Sequence, residues 1–280
     1  MSKRNTIFVE DAEVISHKAY AGGQYVLRVK SPEIARRAEP GSFVHVSCSP
    51  ALPMRRPLSI MLTQGEHVDF LYKVVGEGTR QLAQRTPGET ISMIGPIGVP
   101  FLPEITRPRT LLIGGGVGIP PMVFLAQRLV KNNAFKPFAI LGSEVPFPFD
   151  SQPSKIIVPN MPDGVIASMP LLDDWGIASR LASLQGYAGC YDGYVTDLAR
   201  LWLQGLTEQQ RSEVEIFSCG PHPLLEAAAS LAGVLQLPCP VSVADIMACA
   251  VGGCAGCVAE VVTEPGPGLE AFSVIRHDLI

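Results

Sequence analysis

Three cysteines near the C-terminus have the residue type and the spacing of metal ligands. Cys249, Cys254 and Cys257 form a Cys-x4-Cys-x2-Cys pattern, and glycine and alanine fill most of the gaps. Plant-type [2Fe–2S] clusters use this spacing, and residues with small side chains let backbone N–H groups approach the inorganic sulfurs. A disulfide pair or buried thiols would not require this clustering, and a zinc site, the next alternative, would need further ligands. The pattern therefore predicts a [2Fe–2S] cluster.

The fourth ligand of this cluster is an open question, because no cysteine follows Cys257 in the sequence. His277 is one candidate, since imidazole replaces thiolate on one iron of Rieske centres. Asp278 and Cys239 are further candidates with a less favourable position. Alternatively, the tail holds no cluster, and His277 is an ordinary solvated histidine at the end of a strand.

Two short segments in the N-terminal third could hold an anion. The first places a cation and a hydroxyl on one extended segment. The second is a glycine turn that leads into a helix, where free N–H groups face outward. Each feature alone is equally typical of a surface charge or a simple turn. The candidate residues are Arg56, Pro57, Leu58 and Ser59 in the first segment, and Gly76, Gly78 and Thr79 in the second.

A glycine-rich loop in the middle of the chain has the pattern of a dinucleotide site. The apolar segment Thr110–Ile113 predicts a strand that enters this loop, and helical spacing over Met122–Asn132 follows it. In a strand–glycine turn–helix unit, the backbone can approach a pyrophosphate at the helix N-terminus. A turn that binds nothing is the alternative, but the density of glycine and proline argues against it. The candidate residues are Gly115, Gly116, Gly118 and Pro121.

Glu144 follows the next predicted strand, Phe138–Leu141. An acidic residue at this position can accept hydrogen bonds from the adenosine ribose, whereas an arginine would suit a 2′-phosphate. The absence of a neighbouring Arg or Lys favours NADH over NADPH.

The elements that must position these residues fall into two classes. Short strands separated by Pro/Gly turns precede residue 99 and predict an antiparallel barrel with one helix, Glu77–Gln84. The next region alternates strands and helices, which predicts a parallel α/β sheet. The predicted barrel strands are Glu13–Lys18, Gln24–Lys30, Phe43–Cys48, Leu58–Leu62, His67–Val75 and Thr90–Ile94, and the later elements include the strand Glu213–Phe217 and the helix Leu224–Leu235.

The composition limits the class of partner. The 280 residues are 47% hydrophobic and 17% charged, with a formal net charge of -4. This charge argues against a nucleic-acid partner, which needs a basic face. No apolar run is long enough to span a membrane, and the N-terminus lacks the apolar segment of a signal peptide. Seven cysteines without an export signal predict a reducing compartment, and we expect a cytoplasmic protein.

The motifs together resemble the ferredoxin-reductase family of flavoproteins. In that family an Arg-x-x-Ser/Thr segment and a Gly-x-Gly-Thr turn hold the flavin, which implies that Arg56 to Ser59 and Gly76 to Thr79 bind FAD. The family's Gly-Pro-hydrophobic-Gly segment stands here as Gly95 to Gly98. A Cys-Gly-Pro segment beside the nicotinamide is matched by Cys219, Gly220 and Pro221. His222, next to it, is better explained as a helix-cap residue, because hydride transfer requires orientation and not a proton shuttle.

This resemblance implies three domains. They are an FAD-binding antiparallel β-barrel over residues 1–105, a parallel α/β NAD-binding domain over 106–238, and a short [2Fe–2S]-binding tail over 239–280. The cysteine tail resembles one branch in particular, the electron-transfer subunits of NAD-dependent dihydroorotate dehydrogenases. Departures from the branch are the missing fourth cysteine and the segment from Pro146 to Gly189.

The branch implies a relay between NAD(H), FAD and the cluster. It would exchange electrons with a separate FMN-containing catalytic subunit that oxidises dihydroorotate in pyrimidine biosynthesis. The chain alone is not expected to oxidise dihydroorotate. Two alternatives remain: a stand-alone NAD(P)H-dependent flavin or oxygenase reductase, and a cluster-less nucleotide-binding regulatory subunit.

Overall fold

The N-terminal part of the chain is a closed six-stranded antiparallel barrel. The structure is a computed structural model that describes residues 6–243 and 274–275. The strands follow the order β1-β2-β5-β4-β3-β6 around the barrel. They are β1 (Phe8–Tyr20), β2 (Gln24–Lys30), β3 (Phe43–Val46), β4 (Arg56–Gln64), β5 (His67–Lys73) and β6 (Thr90–Ile97).

Alternation along the barrel strands determines which side chains fill the interior. Val44 and Val46 of β3 are fully buried in the same hydrophobic cluster as Leu58 and Ile60 of β4. Successive side chains of a strand point to opposite faces, so the residues between them face outward. The outer face of β3 and β4 therefore carries the intervening residues, among them Ser59.

Two short helices connect barrel strands, namely α1 (Pro32–Arg37) and α2 (Glu77–Leu82). The sequence analysis predicted α2 and missed α1. The first turn of α1 has Pro32 at its start, and the Glu10 carboxylate accepts hydrogen bonds from the backbone N–H groups of Glu33 and Ile34. The Glu10 contact is non-local, but Ser31, Pro32 and Glu33 form a local helix-start signature that the sequence analysis did not use.

The second part of the chain is a parallel sheet flanked by helices. Its strand order is β11-β8-β7-β12-β13-β14, and every neighbouring pair is parallel. The sheet strands are β7 (Arg109–Gly115), β8 (Phe138–Gly142), β11 (Ala178–Ala182), β12 (Val214–Gly220), β13 (Val241–Val243) and β14 (Val274–Ile275), and a separate two-stranded sheet joins β9 (Gln152–Pro153) to β10 (Ala167–Ser168). The helices are α3 (Ile119–Leu129), α4 (Pro170–Asp174), α5 (Val195–Gln204), α6 (Glu208–Ser212) and α7 (His222–Leu235).

Helix α3 joins the two parts of the molecule. Phe124 belongs to the buried cluster inside the barrel, although it lies on a helix of the α/β part. The side-chain amide of Gln127 donates to the Thr63 carbonyl at 2.8 Å and accepts from the Thr63 N–H at 3.2 Å. The rings of Phe101 and Phe217 pack edge to face across the same boundary. The helix that leaves the glycine loop is thus fixed directly against β4.

The predicted fold class is confirmed for the described residues: an antiparallel barrel is followed by a parallel α/β sheet. The proposed domain limits remain predictions, although β13 extends the parallel sheet beyond residue 238. Val274–Ile275 is a strand that pairs in parallel with β13. None of the helices in the described part of the chain has the length and apolar character needed to cross a membrane.

Candidate functional site

Arg56 and Gly78 lie in direct contact, although more than twenty residues separate them in sequence. Arg56 begins β4, and Gly78 is in the first turn of α2. A Cβ atom added to Gly78 would lie 2.6 Å from Nε of Arg56 and 3.0 Å from its Cζ. The glycine therefore provides the space in which the guanidinium lies. This contact brings the two predicted anion-binding segments together.

The Arg56 guanidinium has only backbone partners in the described part of the chain. It donates to the carbonyl oxygens of Met54 at 2.8 Å and Arg55 at 3.1 Å, and no carboxylate there forms an ion pair with it. The nearby Arg80 differs, because Glu77 pairs with it on the same helix. A half-buried cation without an acidic partner is suited to an anionic ligand such as a pyrophosphate.

Thr79 shapes the glycine turn. Its buried hydroxyl accepts hydrogen bonds from the N–H groups of Val75 at 3.0 Å and Gly76 at 3.3 Å, and it contacts the Gly76 carbonyl at 3.2 Å. The hydroxyl is thus occupied by the turn itself. The Thr79 side chain therefore stabilises the turn that is predicted to hold the phosphates.

The remaining residues of the Arg-x-x-Ser segment lie on opposite faces of β4. Leu58 is 6% exposed and packs inside the barrel, so its side chain cannot contact a ligand on the outer surface. Pro57 and Ser59 lie on the outer face, where they pair with His45 and Phe43 of β3. A flavin on this surface would meet the Ser59 hydroxyl and the Leu58 backbone.

The loop after β7 approaches the end of β12 very closely. A Cβ atom on Gly118 would lie 2.1 Å from the Cys219 carbonyl oxygen and 2.5 Å from the Gly220 nitrogen. One on Gly115 would lie 2.5 Å from the side chain of Leu224. The predicted glycine motif and the predicted Cys-Gly-Pro segment therefore form one compact structure, in which Gly220 and Pro221 lie beside Gly115.

Gly116 differs from its neighbours in the loop. It has a left-handed backbone conformation, with φ of 53°, and apart from its chain neighbours no residue that the structure describes lies within 4 Å of where its Cβ would stand. The following helix begins with Ile119 and two buried prolines, Pro120 and Pro121, which lack N–H groups. Pro121 thus has no N–H group to donate to a phosphate, and its ring contributes packing. The open side of the loop is at Gly116, where a phosphate could approach the backbone.

Glu144 follows β8 and Cys219 lies near the end of β12, with β7 between these two strands in the sheet. Glu144 is exposed just after β8, as expected for a residue that contacts a ribose. Cys219 is 1% exposed, and burial raises the pKa of its thiol to about 12 despite a hydrogen bond with Ser242. The Cys219 backbone lies at the glycine loop, whereas its sulfur lies in the core.

The buried thiol of Cys219 should resist alkylation in the folded protein. With a pKa of about 12, roughly one thiol in 10⁴ is ionised at pH 8, and the thiolate is the reactive species. We expect iodoacetamide to leave Cys219 unmodified in the native state and to modify it fully in urea, as measured by peptide mass spectrometry. Rapid native labelling of Cys219 would contradict the buried position.

The predicted cluster ligands Cys249, Cys254 and Cys257 lie outside the described residues, as do the candidates His277 and Asp278. Cys239 is described: it is 7% exposed, and burial raises the pKa of its thiol to about 12. Within residues 6–243, no three His, Cys, Asp or Glu side chains are grouped as a metal site would require. The cluster prediction therefore depends on the tail alone.

His45 is a residue that the sequence analysis missed. It is 3% exposed, and its Nε2 has no hydrogen-bond partner among the described residues. Burial and the charges of Arg55 and Arg56 lower the pKa of its imidazole to about 4. The alternation of β3 could have suggested its outward orientation, but no local pattern indicates an unpaired ring nitrogen.

Comparison with known proteins gives a consistent picture. No family model matches the chain. It is 30% identical over 254 residues to the electron transfer subunit of dihydroorotate dehydrogenase B (NAD(+)) from Shouchella clausii, covering 89% of this chain and 87% of the relative. The corresponding subunit from a Geobacillus species is 30% identical over 258 residues, with 90% and 89% covered.

Solved structures with the same fold are flavin-dependent reductases. An NADH-dependent reduced ferredoxin-NADP oxidoreductase has a TM-score of 0.69 at 25% identity, covering 89% of this chain and 81% of its own. A ferredoxin reductase of carbazole 1,9a-dioxygenase has a TM-score of 0.64 at 18% identity, with 84% and 69% covered. The barrel and parallel sheet are thus the ferredoxin-reductase fold.

Proposed function

Since the chain belongs to the family of electron transfer subunits of dihydroorotate dehydrogenase B (NAD(+)), we propose that it binds FAD, a nicotinamide nucleotide and a [2Fe–2S] cluster. Through these groups it exchanges electrons with a separate subunit that carries FMN and oxidises dihydroorotate. FAD supplies the step that connects a two-electron nicotinamide carrier to a one-electron cluster.

The observation that carries the proposal is that the Arg56 guanidinium lies against Gly78, in the space that a Cβ atom would fill. The two segments provide a cation without an acidic partner beside a glycine turn, and this donor set fits an anionic pyrophosphate. Ser59 lies on the adjoining outer face of β4, so its hydroxyl is available to the flavin ring. We assign the FAD phosphates to Arg56 and the Gly76–Thr79 turn, and the flavin ring to the Pro57–Ser59 face.

The nicotinamide nucleotide is assigned to the loop after β7. Gly116 leaves the backbone open to a pyrophosphate, and Glu144 is exposed where a ribose would lie. The backbone of Cys219, Gly220 and Pro221 forms the neighbouring surface. Because Gln127 and Phe124 fix α3 against the barrel, the loop and β4 are held together without a flexible connection. This arrangement supports direct transfer between the two nucleotides.

The test is anaerobic purification of the full chain, followed by analysis of flavin, iron and acid-labile sulfide. We expect about one FAD, two irons and two sulfides per chain, as one [2Fe–2S] cluster requires. NADH should bleach the flavin absorbance faster than NADPH, and low-temperature EPR after reduction should show a rhombic signal. Addition of a dihydroorotate-oxidising FMN subunit should then couple the reduction of NAD+ to the oxidation of dihydroorotate.

The possible results separate the parts of the proposal. FAD with NADH reduction but no iron would contradict the cluster and leave a flavin reductase. A preparation that binds neither FAD nor NADH when each is added would contradict the function as a whole.

A further inference from the structure

The loop that follows β8 is held in place by the barrel. Gln24, which begins β2, is 4% exposed, and its side-chain amide donates to the Pro146 carbonyl at 2.7 Å. The same amide donates to the Ala21 carbonyl at 3.1 Å, in the turn between β1 and β2. Both amide hydrogens are thus used, one within the barrel and one on the α/β part. Gln24 therefore ties the loop after β8 to the barrel.

A second contact joins the same turn and loop. Gly22 has a left-handed φ of 74°, and a Cβ atom added to it would lie 2.7 Å from Cβ of Val145 and 2.9 Å from its Cγ2. Glycine adopts this backbone conformation without strain and leaves room for the valine side chain. The turn between β1 and β2 therefore contacts two successive residues of the loop, Val145 and Pro146.

The start of the loop is anchored from the other side. Ser183 directly follows β11, and its buried hydroxyl donates to the Ser143 carbonyl at 2.7 Å. The Ser143 hydroxyl accepts a hydrogen bond from the Val145 N–H at 3.3 Å. Glu144 lies between these anchored residues and is itself exposed. The structure thus fixes the backbone on both sides of Glu144 and leaves the residue accessible.

A fixed backbone matters for the role proposed for Glu144. A carboxylate that accepts hydrogen bonds from ribose hydroxyls is ordered in the complex, and the entropy cost of ordering it reduces affinity. Contacts that hold the loop before binding lower this cost. We propose that Gln24 is a positioning residue, which places Glu144 for the adenosine ribose of the nicotinamide nucleotide through its hydrogen bond with Pro146. This inference rests on the nicotinamide site proposed above and gives a barrel residue a part in it.

The test uses two probes of the FAD-loaded full chain. ADP-ribose contains the adenosine ribose and is redox-inert, so isothermal titration gives its Kd without turnover. Reduced nicotinamide mononucleotide lacks the adenosine, and its oxidation is followed by bleaching of the flavin absorbance. Gln24→Met keeps the length of the side chain and removes its donor. We expect its Kd for ADP-ribose to rise about fivefold, while the rate of bleaching by the mononucleotide stays within about twofold of wild type.

Coupling to Glu144 distinguishes positioning from general packing. Glu144→Ala should raise the Kd for ADP-ribose about tenfold, because it removes charged hydrogen bonds to the ribose. Gln24→Met in the Glu144→Ala background should then raise it by less than about twofold more, since both changes act on the same interaction.

Val145→Ala is a milder second variant, because it shortens the side chain that lies against Gly22 and leaves Gln24 in place. It should raise the Kd for ADP-ribose about threefold. Gln127→Met is the matched control, since Gln127 is also a glutamine that bonds across the boundary, but to Thr63 of β4. Its Kd for ADP-ribose should stay within about twofold of wild type.

Three results would overturn the positioning role of Gln24. They are an unchanged Kd for ADP-ribose in Gln24→Met, an equal loss of bleaching by the mononucleotide, and a full effect of Gln24→Met in the Glu144→Ala background. If Gln24→Met does not fold, Val145→Ala decides, and an unchanged Kd in that variant overturns the proposal. Failure of wild type to bind ADP-ribose would instead refute the proposed nicotinamide site itself.

Discussion

Gly118→Ala should strongly destabilise the parallel-sheet part of the molecule. An alanine Cβ would stand 2.1 Å from the Cys219 carbonyl oxygen, 2.3 Å from its carbonyl carbon and 2.5 Å from the Gly220 nitrogen. These are backbone atoms of β12 in the centre of the sheet, so no side-chain rotation can relieve the contact. We expect a loss of about 3 kcal/mol or more in the free energy of unfolding, at the upper end for overpacking.

Gly116→Ala is the control, because Gly116 lies in the same loop and, its chain neighbours aside, no atom of the described ranges 6–243 and 274–275 lies within 4 Å of its Cβ position. Its φ of 53° is unfavourable for alanine, at about 1–2 kcal/mol. Urea denaturation monitored by circular dichroism should therefore give a lower midpoint for Gly118→Ala than for Gly116→Ala. If the two variants were equally stable, the close approach of the loop to β12 would be wrong.

Gly116→Ala should also weaken NADH binding while the protein remains folded. Its Cβ would project from the open side of the loop, where the pyrophosphate is proposed to lie. We expect NADH affinity, measured by isothermal titration, to fall at least tenfold in a protein that remains folded. The two glycines thus have different roles. Gly118 allows the loop to pack against β12, and Gly116 leaves the loop backbone accessible to the pyrophosphate.

The sequence predicted this loop because its signal is local. A strand, a run of glycines and a helix are contiguous, and their pattern depends on residues within about twenty positions of each other. The barrel strands were predicted for the same reason, from alternation and Pro/Gly turns. By contrast, helix α1 was missed because its six residues are too few for a helical period to show, although Ser31, Pro32 and Glu33 form a local helix-start signature. The Glu10 contact that caps it comes from a distant strand and has no local signal.

The orientation and hydrogen bonding of the site side chains were harder to predict from the sequence. The motif implied that Leu58, Thr79 and Cys219 contact ligands, and these assignments stay predictions. The side chains of Leu58 and Cys219 face the core, and the Thr79 hydroxyl bonds its own turn. A motif identifies which backbone positions meet, whereas side-chain direction depends on packing from other elements. The unpaired nitrogen of His45 shows the same limit, since it depends on what surrounds the outer face of β3.

Gly78→Ala should weaken FAD binding without destabilising the apoprotein. The alanine Cβ would lie 2.6 Å from Nε of Arg56, but a flexible arginine side chain can move away. Alanine is also favoured over glycine in a helix by up to about 1 kcal/mol, so the apoprotein should melt at an equal or higher temperature. The displaced guanidinium would no longer meet the pyrophosphate. We expect the Kd for FAD to rise at least tenfold, measured by quenching of flavin fluorescence.

Arg56→Ala and the double variant show whether the glycine acts through the arginine. Removing a charged hydrogen-bonding group should raise the Kd for FAD about 10- to 100-fold. Since both changes remove the same interaction, Gly78→Ala in the Arg56→Ala background should add little. Arg80→Ala is the matched control: Arg80 is on the same helix but is paired with Glu77 and exposed, so its loss should leave FAD affinity within about twofold. Additive effects of Gly78→Ala and Arg56→Ala would mean that the glycine turn contacts FAD independently, and that the space it provides for Arg56 is not its role.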